Sequence, residues 1–407
     1  MGEKWLSLLG VVSCPRHRVG SLVCELMAVR RPITFSVVAQ SFVCCALLSV
    51  FFFLNFFCFC AAPSLPCEAK VKAAMQQESA SPQYAGGESL ALTPFRRAEK
   101  RYKLYRLDRR AARRQMMPET DFNDVVDVRH PDANTEHNRS RLRSVQGLGD
   151  SQARCFAFTS VPGLLLFPEC IPVEEQQALC RDAVLKYADS RQHPNHLSTH
   201  VSEPKCTTRY EAPMRWATLG FSYDWTTKTY SRGRYSPFPL ALRRRIDDIL
   251  HMCGCIPELS GASVSTYEPQ TAIVNYFSVG SMMMAHQDVS EESMQQPLIS
   301  ISLGCSCVFL MGTASREEAP YAFWLRSGDV AVFSGPARVA FHSIPRIMDD
   351  CPTHLCSRSE EHEDEPHGGG KDVDDDDAYW RAQMRHMRIN INVRQVYSDS
   401  CKFIFES

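Results

Sequence analysis

The chain has 407 residues and a formal net charge of −1, with 45 lysine and arginine residues against 46 aspartate and glutamate residues. This length allows one large domain or two ordinary ones once tails and inserts are subtracted. After residue 67 the only close cysteine pairs, Cys253/Cys255 and Cys305/Cys307, lack the Cys-x-x-Cys spacing of zinc modules. Composition therefore argues against a zinc or disulfide framework and indicates free thiols in a reducing compartment.

The first 93 residues are predicted to lie outside the folded domain. Residues 42–62 are apolar and uncharged over a length that can cross a bilayer. Such a segment is a membrane anchor, a cleaved signal, or an extension that the working protein lacks. Residues 63–93 are rich in Pro, Ser, Gln and Gly, which is typical of a linker. The three alternatives for residues 42–62 remain open, and an anchor would place the rest of the chain in a lumen.

A basic run follows at residues 95–114, where ten Arg and Lys residues stand against Glu99 and Asp108. Aromatic and apolar residues lie between the charges, so the run predicts either a short basic helix or a solvated arm. We place it in an N-terminal extension that spans residues 94–150.

From residue 151 to about residue 400 the chain has the pattern of one globular domain. Apolar periodicity predicts a helix over residues 174–188. Beyond residue 263, short apolar segments separated by turns are typical of a sandwich or jelly roll. The acidic stretch 349–380 is too polar to pack and predicts a disordered insert. The expected fold is mainly β with flanking helices.

Three residues in this region have the chemistry of an iron site. His286 and Asp288 are two residues apart in "MAHQDVSEE", and His342 follows in "SGPARVAFHSI". Two imidazoles and one carboxylate on one face of a jelly roll form the facial triad of non-haem Fe(II) oxygenases, which leaves positions open for a co-substrate and O₂. The sequence therefore predicts an Fe(II) site at these residues.

The segment "RININVR" at residues 388–394 alternates Arg and Asn with Ile and Val. In a strand, the two sets point to opposite faces. The polar face lies either in solvent or in a pocket that holds an anion. The second alternative suits 2-oxoglutarate, because a guanidinium binds its distal carboxylate through two parallel hydrogen bonds.

These motifs together resemble the AlkB-type Fe(II)/2-oxoglutarate nucleic-acid dioxygenases. The matching elements include Asn275 in "IVNYFSVG", "PLISISLG", "SGDVAVFSGPAR" and an Arg-x-Asn-x-x-x-Arg signature. The segments "RWATLGFSYDW" and "YSPFP" are most similar to the homologue-one branch of that family. The resemblance covers roughly residues 95–400 and implies a double-stranded β-helix dioxygenase core.

The resemblance also implies roles for individual residues. His286, Asp288 and His342 would bind Fe(II), with Asp288 the catalytic carboxylate ligand. Arg388 would bind the distal carboxylate of 2-oxoglutarate, Arg394 would lie toward its iron-bound end, and Asn275 and Asn390 would add hydrogen bonds. Phe277 stands where the family commonly has Tyr, so a hydroxyl contact is either missing or supplied by Tyr276. Asn392 replaces a usual Thr or Ser.

A substrate lid is implied at Phe221, Ser222, Tyr223 and Trp225. An enzyme that oxidises a base must extract the nucleotide and stack it between aromatic and apolar side chains. The alternative is that this segment is a hairpin whose aromatic side chains pack on the core.

We therefore expect an Fe(II)- and 2-oxoglutarate-dependent dioxygenase that oxidatively demethylates bases in tRNA or DNA. It would use O₂, act as a monomer, and lie in the nucleus, mitochondrion or cytoplasm. One alternative is a 2-oxoglutarate-dependent protein hydroxylase or demethylase. The other is a non-catalytic binding protein that residues 42–62 anchor to a membrane.

Overall fold

The computed structural model describes residues 92–103, 120–146, 148, 152–196, 214–256, 259, 264, 266–357 and 371–398, with the backbone alone for residues 371–374. The apolar segment 42–62 and the basic residues 104–114 lie outside this part of the chain. No helix within the described ranges is long and apolar enough to cross a bilayer.

The described strands form a sandwich of two sheets. They are β1 Leu142–Val145, β2 Cys155–Phe158, β3 Leu164–Phe167, β4 Trp216–Asp224, β5 Thr229–Ser236, β6 Thr271–Ser278, β7 Met283–His286, β8 Leu298–Gly304, β9 Cys307–Met311, β10 Tyr321–Leu325, β11 Val330–Phe333, β12 His342–Ile347 and β13 Met387–Arg394. The larger sheet has the order β1-β2-β3-β11-β8-β13-β6-β4-β5, and the smaller has the order β10-β9-β12-β7. Apolar side chains of both sheets, such as Leu298, Phe309 and Phe333, pack between them. The predicted jelly-roll fold is confirmed.

Several α-helices cover the outer face of the larger sheet, and the first packs against the smaller sheet. The α-helices are α1 Pro94–Tyr102, α2 Glu136–Arg139, α3 Val173–Asp182, α4 Leu240–Gly254, α5 Gly335–Arg338, α6 Thr353–Cys356 and α7 Lys371–Met384. A π-helical turn, Ala183–Tyr187, extends α3, so the helix predicted over residues 174–188 is confirmed. Buried side chains of α3, α4, α6 and α7 join those of the sheet in one apolar core.

Strand β13 lies in the middle of the larger sheet, between β8 and β6. Its Ile389, Ile391 and Val393 belong to the apolar core under the helices. Arg388 and Asn390 point the other way and line a cavity between the two sheets. The period of two in "RININVR" thus separates a core face from a polar cavity face. Of the two alternatives for the polar face, solvent or a pocket, the structure has the pocket.

The described parts of the acidic stretch 349–380 differ from the prediction of a disordered insert, and its residues 358–370 lie outside the described residues. Of its described residues, 353–356 and 371–380 lie in helices. Trp380 and Met384 are buried in the core while Asp375 and Asp376 are exposed. Trp380, the last residue of the stretch, and Met384, four residues further along α7, have the spacing that places two large apolar side chains on one helix face.

The structure shows no boundary at residue 150 between the predicted N-terminal extension and the dioxygenase domain. Strand β1 pairs with β2 along its whole length and forms one edge of the larger sheet. Val126 adds a parallel bridge to Phe323 of β10. The N-terminal extension is therefore built into both sheets.

Candidate metal and co-substrate site

Three side chains with metal-binding chemistry meet where β7 and β12 pair. His286 ends β7, Asp288 follows it, and His342 begins β12 directly opposite His286. Their potential ligand atoms lie within 4.8 Å of one another. Nε2 of His286 and Nε2 of His342 are each 3.9 Å from a different carboxylate oxygen of Asp288. This nitrogen and carboxylate donor set fits Fe(II).

Backbone carbonyl groups orient both imidazoles. Nδ1 of His286 donates to the Met284 carbonyl at 2.9 Å, and Nδ1 of His342 donates to the Ala340 carbonyl at 3.2 Å. A proton on Nδ1 leaves the lone pair on Nε2, which faces Asp288 in each case. Burial lowers the pKa of His342 to about 4, and His286 adds to this effect. The His342 imidazole is therefore neutral at pH 7, as metal binding requires.

One buried carboxylate, that of Glu291, and the buried guanidiniums of Arg338 and Arg394 form a network that supports Asp288. Arg394 donates to Asp288 Oδ2 at 3.1 Å and to Glu291 Oε1 at 2.9 Å. Arg338 lies 3.0 Å from Glu291 Oε2 and also donates to the backbone carbonyl of Asp288. Burial alone would raise the pKa of Asp288, but Arg394 above all outweighs it and holds that pKa well below its usual range. Asp288 is therefore ionised.

The network had only partly been predicted from sequence. Arg394 was expected near the iron-bound end of 2-oxoglutarate, and it contacts Asp288. The sequence analysis predicts no role for Glu291, three residues after Asp288, or for Arg338 in the segment "SGPAR". Neither position carries a periodic signal, because the partners come from a loop, helix α5 and strand β13, which lie far apart in the sequence.

Arg388 lies in the same cavity as the three metal-binding side chains. It is fully buried, and its guanidinium donates to Ser302 Oγ at 2.8 Å and to the carbonyls of Cys305 and Leu325 at 3.4 and 3.5 Å. Its Nε has no partner. In the described part of the chain no carboxylate pairs with Arg388. A buried cation of this kind suits an anionic ligand, because an unpaired charge in the interior is costly.

Other polar side chains lie on the same face of the larger sheet as Arg388. Asn390 donates to Ser300 Oγ at 2.8 Å and to the Ile301 carbonyl at 3.1 Å. Asn392 also lines the cavity. Asn275 lies opposite Asn390 in the β6–β13 register and so points to the same face. Together with the buried guanidinium, these groups fit 2-oxoglutarate.

The suggestion that Tyr276 supplies a hydroxyl contact in the cavity is wrong. Its hydroxyl donates to the Ala183 carbonyl at 2.7 Å, under the helices on the far side of the sheet. Tyr276 follows Asn275 directly, so the pleat sends the two side chains to opposite faces. Phe277 lies opposite Arg388 and faces the cavity side without a hydroxyl group.

The four residues expected in a substrate lid separate into two groups on the β4–β5 hairpin. Phe221 and Ser222 are buried, and Phe221 packs edge-on against Tyr397 at 4.8 Å. Tyr223 shares a 3.1 Å hydrogen bond with Ser290 in the loop that follows Asp288. Trp225 is 44% exposed and packs against Tyr223 at 4.9 Å. None of the four lines the cavity described above.

Comparisons with known proteins agree with this site. The family model described as the 2OG-Fe(II) oxygenase superfamily matches residues 163–394, more than half of the chain. The tRNA demethylase abh1 of Schizosaccharomyces pombe is 29% identical over 74% of this chain and 95% of its own length. The DNA N(6)-methyladenine demethylase ALKBH1A of Arabidopsis thaliana is 26% identical over 75% of this chain and 96% of its own length. The alpha-ketoglutarate-dependent dioxygenase AlkB homolog of Caulobacter vibrioides is 30% identical over 47% of this chain and 80% of its own length. With its His-Asp-His cluster and buried arginine in one cavity, the chain belongs to the 2OG-Fe(II) oxygenase superfamily, in the AlkB-type branch that contains these relatives.

Proposed function

We propose that this protein is an Fe(II)- and 2-oxoglutarate-dependent dioxygenase that oxidatively demethylates bases in nucleic acid. The observation that carries the proposal is the buried guanidinium of Arg388, which has no carboxylate partner in the described residues and shares a cavity with the His-Asp-His cluster. An anion and a metal ion are the ligands that such a cavity requires. Two of the relatives named above are a tRNA demethylase and a DNA demethylase.

In this proposal His286, Asp288 and His342 hold Fe(II), and Arg388 binds the distal carboxylate of 2-oxoglutarate. Fe(II) and 2-oxoglutarate together supply the oxidation of a C–H bond by O₂, with succinate and CO₂ as the other products. Hydroxylation of a methyl group on a base nitrogen gives a hemiaminal, which releases formaldehyde. Apolar walls that include Phe309 and Phe333 keep water away from the reacting groups.

The surface beside the site supports a nucleic-acid substrate. Trp225 is exposed and packs against Trp216 at 5.3 Å, so an aromatic surface is available for base stacking. Helix α1 adds exposed cations, among them Arg97 and Lys100, that can meet phosphates. We expect a base in tRNA or DNA rather than a protein side chain.

We also propose that the enzyme acts as a monomer in a compartment that holds its substrate, the nucleus, mitochondrion or cytoplasm. Sedimentation of the purified protein tests the first expectation, and cell fractionation tests the second. Recovery of the full chain only in a membrane fraction would instead favour anchoring through residues 42–62.

Turnover of defined substrates tests the proposed function. The full chain is incubated with Fe(II), 2-oxoglutarate and either methylated tRNA, methylated DNA or a methylated histone peptide, and formaldehyde and succinate are measured. We expect both products from a nucleic acid, none with Asp288→Ala, and normal amounts with Asp247→Ala, a matched exposed aspartate of α4. Turnover of the peptide alone would contradict the proposal and favour a protein substrate.

A further inference from the structure

Strand β7, which carries His286, has a bulge next to that residue. In the pairing with β12, His286 lies opposite His342 and Met283 lies opposite Ile344. Two residues of β7, Met284 and Ala285, therefore face one residue of β12. A bulge of this kind leaves peptide groups outside the sheet ladder and re-aims the side chain beside it. Among the described strands, β7 is also an edge strand, so its only neighbour in the sheet is β12.

Side chains from two other segments bind the bulged residue. The Ala285 N–H donates to Glu99 Oε1 of helix α1 at 2.8 Å. The Ala285 carbonyl accepts from Arg316 at 3.2 Å. Both backbone groups of Ala285 are thus satisfied by charged side chains, and such hydrogen bonds are stronger than those between neutral groups.

Glu99 and His286 bind the same peptide unit from its two ends. The Met284–Ala285 peptide offers its N–H to Glu99 and its carbonyl to Nδ1 of His286, at 2.9 Å. A carboxylate on the N–H polarises the peptide and makes its carbonyl a better acceptor, because hydrogen bonds in a chain strengthen one another. Glu99 is thus connected to the imidazole of His286 through one peptide group. In many metal sites a carboxylate accepts directly from the second ring nitrogen of a metal-binding histidine, which fixes the ring orientation and makes the histidine a stronger ligand.

The position of Glu99 is itself well defined. The residue is 1% exposed, and Arg96 donates to its other oxygen at 2.7 Å. Phe95 and Tyr102 of the same helix are buried against the smaller sheet. Gly312 lies on that surface, and a Cβ atom there would be 2.9 Å from the Phe95 ring. The absence of a side chain at Gly312 therefore allows Phe95 to pack closely.

We propose that Glu99 is a positioning residue for His286 and that docking of α1 is thereby coupled to metal binding. The proposal rests on the function proposed above for the His-Asp-His cluster. Without Glu99 the bulge loses the partner of its N–H, and the carbonyl that orients Nδ1 is no longer held. By reciprocity, a metal ion on His286 should stabilise the docked helix, because coupled sites affect each other equally. Helix α1 would then support the metal centre.

Metal binding by the full chain tests this without any turnover. Mn(II) affinity is measured by calorimetric titration, and the visible spectrum of the Co(II)-loaded protein reports the ligand field. We expect Glu99→Ala to weaken Mn(II) binding about tenfold, the lower end of the cost of losing an outer hydrogen bond to a metal ligand. Glu99→Gln keeps an acceptor oxygen without the charge, so it should retain most of the affinity. The Co(II) spectrum should shift in Glu99→Ala and less in Glu99→Gln.

Phe95→Leu serves as the matched control on α1, because it loosens the docked helix without touching the Ala285 N–H. It should lower the unfolding temperature and, because the helix stays docked in most molecules, leave Mn(II) affinity within about twofold of the wild type. If Phe95→Leu lost as much affinity as Glu99→Ala, Glu99 would act only by holding the helix, and its proposed role in positioning His286 would be overturned. Unchanged affinity and an unchanged Co(II) spectrum in Glu99→Ala would also overturn it.

Hydrogen exchange gives an independent readout of the coupling. Mn(II) should slow exchange of the Ala285 amide and of α1 in the wild type, and this protection should be lost in Glu99→Ala. Absence of any effect of Mn(II) on α1 would contradict the coupling. If the wild type binds Mn(II) as expected but demethylates nothing, the proposed function fails while the role of Glu99 stands or falls on these measurements alone.

Discussion

The guanidinium of Arg388 on β13 donates a 2.8 Å hydrogen bond to the hydroxyl of Ser302 on the neighbouring strand β8. Both residues are buried on the face of the larger sheet that looks toward the smaller sheet. Ser302 therefore holds a buried cation in place without neutralising it. The charge remains available to an anionic ligand in the cavity.

Substitution of Arg388 should act on 2-oxoglutarate binding. Arg388→Ala leaves one carboxylate of the co-substrate unpaired in a buried site, and we expect a loss of about 3–5 kcal/mol in its binding. Arg388→Lys keeps the charge without the two-pronged geometry and should rescue the loss in part. Ser302→Ala should weaken 2-oxoglutarate binding by about 1 kcal/mol, because it removes one hydrogen bond that holds Arg388. The apparent Michaelis constant for 2-oxoglutarate measures all three, and equal constants in wild type and Arg388→Ala would refute the assignment.

Removal of Glu291 should destabilise the fold. Its fully buried carboxylate pairs with Arg394 at 2.9 Å and with Arg338 at 3.0 Å. Glu291→Ala leaves both guanidiniums without this partner, and breaking a buried pair in this way costs about 3–5 kcal/mol. Urea unfolding measures the loss, with Glu292→Ala as the control because the neighbouring Glu292 side chain is 48% exposed. Equal free energies of unfolding for the two variants would show that the pairs of Glu291 with Arg338 and Arg394 do not stabilise the fold.

The stability of the metal-free protein should fall as the pH falls from about 6.5 to about 4. Burial lowers the pKa of His193 from 6.5 to about 4, so only the unfolded chain binds a proton there in this window. Stability rises with pH wherever the unfolded state binds more protons, and this shift corresponds to about 3 kcal/mol.

The variant His193→Gln isolates this contribution. Its free energy of unfolding should depend less on pH between 6.5 and 4 than that of the wild type. Urea unfolding at several pH values gives both curves. A constant difference between wild type and variant across the window would contradict the buried, neutral state of His193.

Exposed cations of α1 should contribute to nucleic-acid binding. The double variant Arg97→Ala/Lys100→Ala removes two exposed cations of this helix and keeps Arg96 and Arg101, which pair with Glu99 and Asp124. Each phosphate contact that is lost should reduce the slope of log affinity against log salt by about 0.7–0.9. Arg181→Ala/Arg385→Ala, at exposed positions in and beside other helices, removes the same charge as a control. Equal slopes for the two variants would place α1 away from the interface.

Local periodicity in the sequence determined the two faces of β13 and the proximity of His286 to Asp288. Alternation in "RININVR" assigns Ile389 to the core and Arg388 to the cavity, because successive side chains of a strand point in opposite directions. The same rule would have excluded Tyr276 from the cavity once Asn275 was placed there. The four-residue spacing of Trp380 and Met384 indicates an apolar face of α7. The acidity of residues 349–380 instead predicts a disordered insert, which is wrong for the described residues of α7.

The contacts around the metal-binding side chains were decided by the tertiary structure alone. Glu99 and Ala285 are 186 residues apart, and Arg338 reaches Asp288 across 50 residues. No local pattern encodes such pairs, since each depends on where the sheets bring two separate segments. A buried carboxylate or guanidinium is stable only beside a partner, and the fold rather than the sequence pattern supplies that partner.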